Sequence, residues 1–158
     1  MSHRGSVRWL PLPAAVWVGL CTAALADTPA PLSPQAVVTA FSHLIESHQA
    51  LEGVDRYVAS DFVEHDPSVA GGNRDGMIQY LKDHGWTQPS AVKSDIHIDR
   101  IIASGEYVVV HQHLRRGPDQ PVLVFVDIFR VHDGRIAEHW DVMQPVPAQP
   151  ANTQHTMY

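Results

Sequence analysis

The sequence predicts an α+β domain in which three helices precede an antiparallel sheet. Apolar residues recur at helical spacing in the first half of the chain and alternate with period two in the second half. Short turn signals separate the alternating runs, as in successive β-hairpins. With 158 residues, 44% hydrophobic and 18% charged, the chain fits one domain with an adequate core. Helices followed by hairpins indicate that the helices pack on one face of the sheet.

Residues 1–26 have the pattern of a secretory signal peptide. Arg4 and Arg8 precede an apolar stretch, and residues 24–26 read Ala-Leu-Ala, a small-x-small cleavage pattern. Two prolines interrupt an apolar run that is already shorter than the roughly 20 residues of a membrane-spanning helix, which disfavours a membrane anchor. We therefore expect residues 27–158 to form a secreted or periplasmic domain.

Cleavage would leave an acidic chain without cysteine. The one cysteine of the sequence, Cys21, lies in the leader, so the mature domain would have neither a disulfide nor a thiol nucleophile. Removing Arg4 and Arg8 from a chain with a formal charge of −6 leaves −8. Nucleic acid and anionic membranes are poor partners for such a surface.

Three helices are predicted before the sheet. The first should begin at Pro34, because Ser33 before it is a good N-cap and proline suits the first helical position. A short second helix is expected over residues 53–58. The third should cover residues 74–84 and end at Gly85. Between the last two, "SDFVEHDPSVAGGNRDG" is rich in turn residues and predicts a strand-like or irregular link.

Four strands are predicted after the helices. Each is a run of alternating or continuous apolar residues bounded by glycine, proline or aspartate. The domain core would then extend over residues 34–144, and the Pro-rich segment 145–158 would run over the surface as a tail. The predicted strands are 95–103, 106–115, 121–132 and 135–143.

The Asp-Gly turn predicts the register of the last hairpin. A two-residue turn there places His139 opposite Ile128 and Asp141 opposite Val126. Residues that are directly opposed point to the same side of a sheet. His139 and Asp141 should therefore share a face.

The preceding hairpin adds two histidines to this face. If the loop 116–121 closes that hairpin symmetrically, His111 lies opposite Val126, and His113 shares its face. We therefore expect one face to carry His111, His113, His139 and Asp141. A slip of one residue in the "RRGPDQ" loop would send His111 and His113 to the opposite side. If the other sheet face lines the pocket, Asp127 is the substitute carboxylate, and Trp140 lies there with it.

Four stretches resemble the SnoaL-like branch of the nuclear transport factor 2-like superfamily. They cover almost the whole chain after the leader: "FVEHDPSVAGGNRDGMIQYL", "GEYVVVHQHLR", "VDIFRVHDGRIAEHWDVMQPVP" and "NTQHTMY". The resemblance implies a cone-shaped domain, in which a strongly curved antiparallel sheet surrounds a pocket and packs against three N-terminal helices. It also implies a homodimer that pairs through the outer sheet face.

The resemblance also implies a set of catalytic residues. Polyketide cyclases of this type are thought to abstract a proton next to a carbonyl group with an Asp/His pair, which here matches Asp141 and His139. His65 matches a third position, although "VEHDP" has Asp66 where "QHNP" is more usual, and a neighbouring carboxylate can change the protonation of His65. Each residue also has a non-catalytic alternative. Asp141 could cap a turn at the end of its strand, His139 could pack against the sheet, and His65 could cap the third helix.

His111 and His113 allow two interpretations. As hydrogen-bond donors, together with Trp140 and Asp127, they would bind the substrate and its carbonyl oxygen. Alternatively, His111, His113 and His139 would bind a divalent metal.

The sequence therefore predicts an exported, cofactor-free lyase or isomerase acting on a small apolar carbonyl compound. The expected chemistry is an aldol condensation or proton abstraction next to the carbonyl group. A metal-dependent enzyme and a non-catalytic module that binds a small ligand remain the alternatives. Phosphoryl transfer, thiol redox chemistry and serine hydrolysis lose support, because their motifs do not occur in the sequence.

Overall fold

The computed structural model of the protein describes residues 31–88 and 95–158, in which three helices pack against a five-stranded sheet. The predicted leader lies outside these residues, so export stays a prediction. The α+β class, the three helices and the four predicted strands are confirmed. The helices are α1 (Pro34–Glu46), α2 (Ala50–Tyr57) and α3 (Arg74–Asp83), and the strands are β1 (Val58–Glu64), β2 (Asp95–Ser104), β3 (Tyr107–Arg115), β4 (Val122–His132) and β5 (Arg135–Pro145).

Local capping sets the helix ends. Ser33 caps α1, with its hydroxyl accepting a hydrogen bond from the amide of Ala36 at 3.2 Å. Asn73 caps α3, so the helix-capping alternative for His65 is wrong. Gly85, with a φ of 78°, follows the end of α3 in the left-handed region that glycine adopts freely. Within the described residues, no helix is long and apolar enough to cross a membrane.

The sheet is mixed, with strand order β1-β5-β4-β3-β2. Its last four strands are antiparallel, as predicted, but β1 pairs in parallel with β5, which corrects the expectation of a purely antiparallel sheet. Phe62 and Glu64 are buried on one side of β1, and the strand covers the edge that β5 would otherwise expose.

One sheet face, here called the inner face, packs against the helices. It carries most of the core residues of the sheet, and α1 contributes Val37, Val38 and Phe41 from the other side. The opposite side of the sheet is called the outer face. In the C-terminal segment 146–158, which has no helix or strand, the ring of Tyr158 stacks on His113 of the outer face at 4.0 Å. The core residues of the inner face are Val108, Val110, Leu114, Phe129, Val131 and Ile136.

The register of the β3–β4 hairpin is as predicted. His111 pairs with Val126 and His113 with Val124. The last hairpin also begins as predicted, with His132 opposite Arg135 across a turn in which Asp133 and Gly134 both have positive φ.

A β-bulge then shifts the register of β5 by one residue. Val131 pairs with Ile136 but Arg130 pairs with Glu138, so Ala137 is the extra residue. The predicted pairs are therefore wrong beyond this point, and His139 lies opposite Phe129 instead of Ile128. Because a shift of one residue exchanges the faces of a strand, His139 and Asp141 turn to the inner face.

Candidate active site

A cavity of about 150 Å³ lies between α1, α3 and the inner face. Most of its wall is apolar, with Phe41, Met77 and Trp86 on the helical side and Phe125 and Phe129 on the sheet. A mostly apolar wall with polar groups that converge on the cavity is the usual form of a small-molecule site. The polar groups are Ser42, Glu46, Glu64, Asp66, Tyr80, Gln112, Arg116, Asp127, His139 and Asp141.

His139 lies between two buried carboxylates on the sheet side of the cavity. Its Nδ1 is 2.9 Å from Oε1 and 3.1 Å from Oε2 of Glu64, and its Nε2 is 3.4 Å from Oδ1 of Asp127. Glu64 and Asp127 are only 6% and 7% exposed, and they are the buried charged residues of the described chain.

Other groups fix both carboxylates. Glu64 accepts hydrogen bonds from the backbone amides of His65 and Asp66, at 3.0 and 3.1 Å. Asp127 accepts one from the side-chain amide of Gln112 at 2.9 Å. The charged groups are therefore almost fully hydrogen-bonded, as burial of charge requires.

The two carboxylates keep His139 protonated. Burial of the ring works against its charge, but the hydrogen bonds to Asp127 and Glu64 and their negative charges raise the pKa of His139 to about 10. At neutral pH the side chain is an imidazolium that donates one N–H to each carboxylate.

Asp141 has a different environment on the same strand. Burial raises the pKa of its carboxyl to about 6; the charge of His139 opposes this, and Asp66, Asp127 and Glu64 add to it. In the described part of the chain no hydrogen bond to its carboxylate is found. Asp141 thus lines the cavity as a carboxylate that is free to accept a proton near neutral pH.

Tyr80 and Arg116 bring hydrogen-bond donors to this cavity. Burial raises the pKa of Tyr80, the charge of Asp66 adds to the effect, and Arg116 opposes it, so the hydroxyl keeps its proton at neutral pH. The charge of Asp141, which lines the same cavity, also raises the pKa of Tyr80.

The structure assembles three of the predicted site residues. His139, Asp141 and Asp127 line the cavity together, whereas the sequence placed Asp127 on the opposite face as a substitute for Asp141. The predicted shared face is wrong for His111 and His113, because the bulge at Ala137 turns His139 and Asp141 away from them.

The outer-face histidines make contacts of their own. His113 Nδ1 lies 2.9 Å from Oδ2 of Asp99, and His111 contacts Arg100. The predicted metal ligands His111, His113 and His139 therefore do not come together. In residues 31–88 and 95–158, no group of three or more His, Cys, Asp or Glu side chains is arranged to hold a metal ion.

His65 and Trp140 also lie outside the cavity. Their rings stack at 4.4 Å, and Nε2 of His65 is 3.2 Å from Oε2 of Glu138. His65 does not point inward because Glu64, its neighbour in the chain, takes the inward position.

Sequence reasoning did not place several polar groups of the cavity in the site, among them Glu64, Gln112, Tyr80 and Arg116. Glu64 and Gln112 carried a readable signal, because each shares its strand face with buried apolar neighbours, Phe62 in one case and Leu114 in the other. The sequence carries no comparable signal for Tyr80 and Arg116.

A family model for the SnoaL-like domain matches residues 38–139, about two thirds of the chain. The chain belongs to the SnoaL-like family. Among curated proteins, no sequence matches it significantly.

Solved structures share the nuclear transport factor 2-like fold of this SnoaL-like domain. Wild-type IdmH from Streptomyces antibioticus, a candidate polyketide cyclase, is 21% identical with a TM-score of 0.56, over 71% of this chain and 92% of that one. A candidate ketosteroid isomerase from Kribbella flavida is 18% identical with a TM-score of 0.58, over 79% and 87%. An NTF2-like protein of unknown function from Mesorhizobium loti is 19% identical with a TM-score of 0.56, over 70% and 90%. At these identities the likeness establishes the fold, and the expected cone-shaped α+β domain is confirmed.

Proposed function

We propose that this SnoaL-like domain is a small-molecule isomerase or lyase in which Asp141 takes a proton from the carbon next to a carbonyl group. The observation that carries the proposal is the position of Asp141, whose pKa is raised to about 6, on the wall of a mostly apolar cavity. A general base is most effective when its pKa lies near the working pH. The names of two structural neighbours, a polyketide cyclase and a ketosteroid isomerase, both refer to ketones.

Tyr80 is the proposed donor to the enolate oxygen. Its hydroxyl is protonated, lies in the same cavity and is coupled electrostatically to Asp141. This assignment replaces the expected donors His111 and His113, which lie on the outer face. A positioned donor typically accelerates such a step by about 10²- to 10³-fold.

The substrate would be a small apolar carbonyl compound. The aromatic and aliphatic wall formed by Phe41, Trp86, Phe125 and Phe129 supports this part of the proposal. Export through residues 1–26, a cofactor-free reaction and a homodimer complete the proposal and rest on the sequence and the family resemblance.

Exchange of α-protons for deuterium tests the proposal. A panel of small aromatic and alicyclic ketones would be incubated with the protein in D2O, and loss of the α-proton signal would be followed by NMR. Asp141→Asn should lower the exchange rate by about 10²- to 10⁴-fold. Asp61→Asn is the matched control, because Asp61 is exposed on β1 and lies outside the cavity.

The outcomes separate the alternatives. Undiminished exchange in Asp141→Asn would rule out this base. Binding of ketones without exchange in the wild type would favour a non-catalytic ligand-binding module. Tyr80→Phe should slow exchange by about 10²-fold while leaving ketone binding nearly unchanged, because its donor acts on the developing charge.

A further inference from the structure

We propose that Glu64 and Asp127 are positioning residues that hold His139 as a fixed imidazolium, so that His139 transfers no proton and Asp141 acts without an acid–base partner. The statement about Asp141 rests on the proposed function. The statement about His139 does not, because it concerns a side chain whose ionisation can be observed directly. The inference departs from the Asp/His acid–base pair that the sequence suggested.

The first argument is the geometry of the ring. Both nitrogens of His139 face carboxylate oxygens, Glu64 at 2.9 Å and Asp127 at 3.4 Å. A neutral imidazole has one N–H, so one nitrogen lone pair would face an anion without a proton between them. The imidazolium satisfies both contacts and offsets one of the two negative charges.

The second argument is that hydrogen bonds fix the carboxylates of Glu64 and Asp127, so neither can move with the His139 ring. Two backbone amides hold Glu64, and Gln112 holds Asp127. The ring itself stacks on Phe129, with centroids 4.7 Å apart, and its side chain is 12% exposed. His139 therefore has no free N–H for a substrate and little room to turn towards one.

The third argument concerns charge near the base. Two carboxylates and one imidazolium carry a net charge of −1, placed close to Asp141. The charges of Asp127 and Glu64 both raise the pKa of Asp141, whereas that of His139 lowers it. The cluster thus changes the proton affinity of Asp141 through its charges.

A pH profile distinguishes this arrangement from an Asp/His pair. If Asp141 acts without an acid–base partner, the rate of ketone exchange should rise as the pH passes about 6 and stay level until about 10, where His139 loses its proton. A His139 with an ordinary pKa that acted as an acid would give a bell-shaped profile that falls above about pH 7.

The direct test is ¹⁵N NMR of the imidazole side chains. At pH 8.5, about two units above the ordinary pKa of histidine, the folded wild-type protein should show His139 with both nitrogens protonated. The spectrum of His139→Gln assigns the signal. A neutral His139 at pH 8.5 in the folded wild type would overturn the proposal without any measurement of activity.

Two variants sharpen the test. Glu64→Gln and Asp127→Asn each remove one charge that raises the pKa of His139, so each should move its titration to lower pH. Glu106→Gln is the matched control, because Glu106 faces His132 at the surface and its loss should leave the His139 signal unchanged. An unchanged His139 titration in both folded cavity variants would also contradict the proposal.

The same variants separate positioning from mere structural support. Glu64→Gln removes a negative charge near Asp141 and should shift the acidic limb of the exchange profile to lower pH. A purely structural role would lower the rate without moving that limb. If no ketone exchanges but His139 is an imidazolium at pH 8.5, the proposed function fails and the assignment of His139 stands.

Discussion

Both faces of the sheet place a histidine beside a carboxylate, but the two pairs differ in burial. On the inner face, His139 lies between Glu64 and Asp127, which are both buried, and its pKa rises to about 10. On the outer face, His97 meets Asp95 at 2.7 Å, with both side chains more than half exposed. A histidine beside a carboxylate is therefore not a functional signal by itself, because burial decides how strongly the two charges interact.

The face that a residue occupies depends on one extra residue in β5. Without the bulge at Ala137, the expected pairing would hold, and His139 and Asp141 would lie beside the outer-face histidines. The contrast between the faces thus has a small structural cause that mutation can remove.

Insertion of one glycine between Glu138 and His139 should have the largest effect. With Arg130 still opposite Glu138, the added residue takes the place of His139 opposite Phe129, so His139 turns outward and Glu64 and Asp127 stay buried without it. We expect loss of more than about 4 kcal/mol of the free energy of unfolding, enough to abolish cooperative folding in many domains. Urea unfolding followed by circular dichroism measures this. Ala137→Gly, which keeps both the length of β5 and its bulge, should cost only about 1 kcal/mol; similar stability of the two variants would refute the importance of the register that the bulge sets.

Glu64→Ala should have the next largest effect. It removes one partner of a buried charge cluster and leaves the backbone amide of Asp66 unpaired, while the amide of His65 keeps its bond to the His139 carbonyl, and the loss should cost about 3–5 kcal/mol. The comparison is Asp95→Ala on the outer face, which should cost less than about 1 kcal/mol because both partners are exposed. Equal losses in the two variants would show that burial does not distinguish the faces.

Asp141→Asn should stabilise the protein at about pH 8. The folded protein raises the pKa of this carboxyl from 3.8 to about 6. Its protonated form therefore favours the folded state fully below about pH 4, and this contribution is lost as the pH rises through 6. Asparagine carries no charge at either pH.

We expect a gain of about 1–2 kcal/mol at pH 8, discounted because the side chain is half exposed, and almost none at pH 4. Urea unfolding at both pH values measures the difference. A gain that is larger at pH 4 than at pH 8 would reverse the sign and contradict the raised pKa.

His113→Gln should have the smallest effect. It removes a mostly buried outer-face hydrogen bond with Asp99 and the stacking with Tyr158, which together should cost about 1 kcal/mol. Ketone exchange should be unchanged, although the sequence pointed to His113 as a substrate-binding residue. A tenfold loss of exchange with unchanged stability would show that His113 contributes to the reaction.

The features that the sequence predicted correctly are those that depend on neighbouring residues in the chain. Ser33 and Pro34 predicted the start of α1, and the Asp133-Gly134 turn predicted the last hairpin, because capping and turn chemistry act within a few residues. The sequence placed His139 and Asp141 together on one strand face, but it wrongly added His111 and His113 to that face.

The rest depends on contacts between distant parts of the chain. The bulge at Ala137 lies in a run of ordinary strand residues, and nothing local distinguishes it from regular pairing. The pairing of β1 with β5 joins segments far apart in sequence, so the position of Glu64 beside His139 could not be read from either segment alone.

The place of β5 in the sheet also determines when the site can form during folding. β5 is the last strand along the chain, yet it lies between β1 and β4, and the hydrogen bond from His139 to Glu64 joins residues 75 positions apart. During synthesis, Glu64 and Asp127 emerge before their cationic partner, so an intermediate without β5 must keep both carboxylates hydrated or protonated. Contacts of such long range slow folding, and the cavity should be among the last parts of the domain to acquire its native structure.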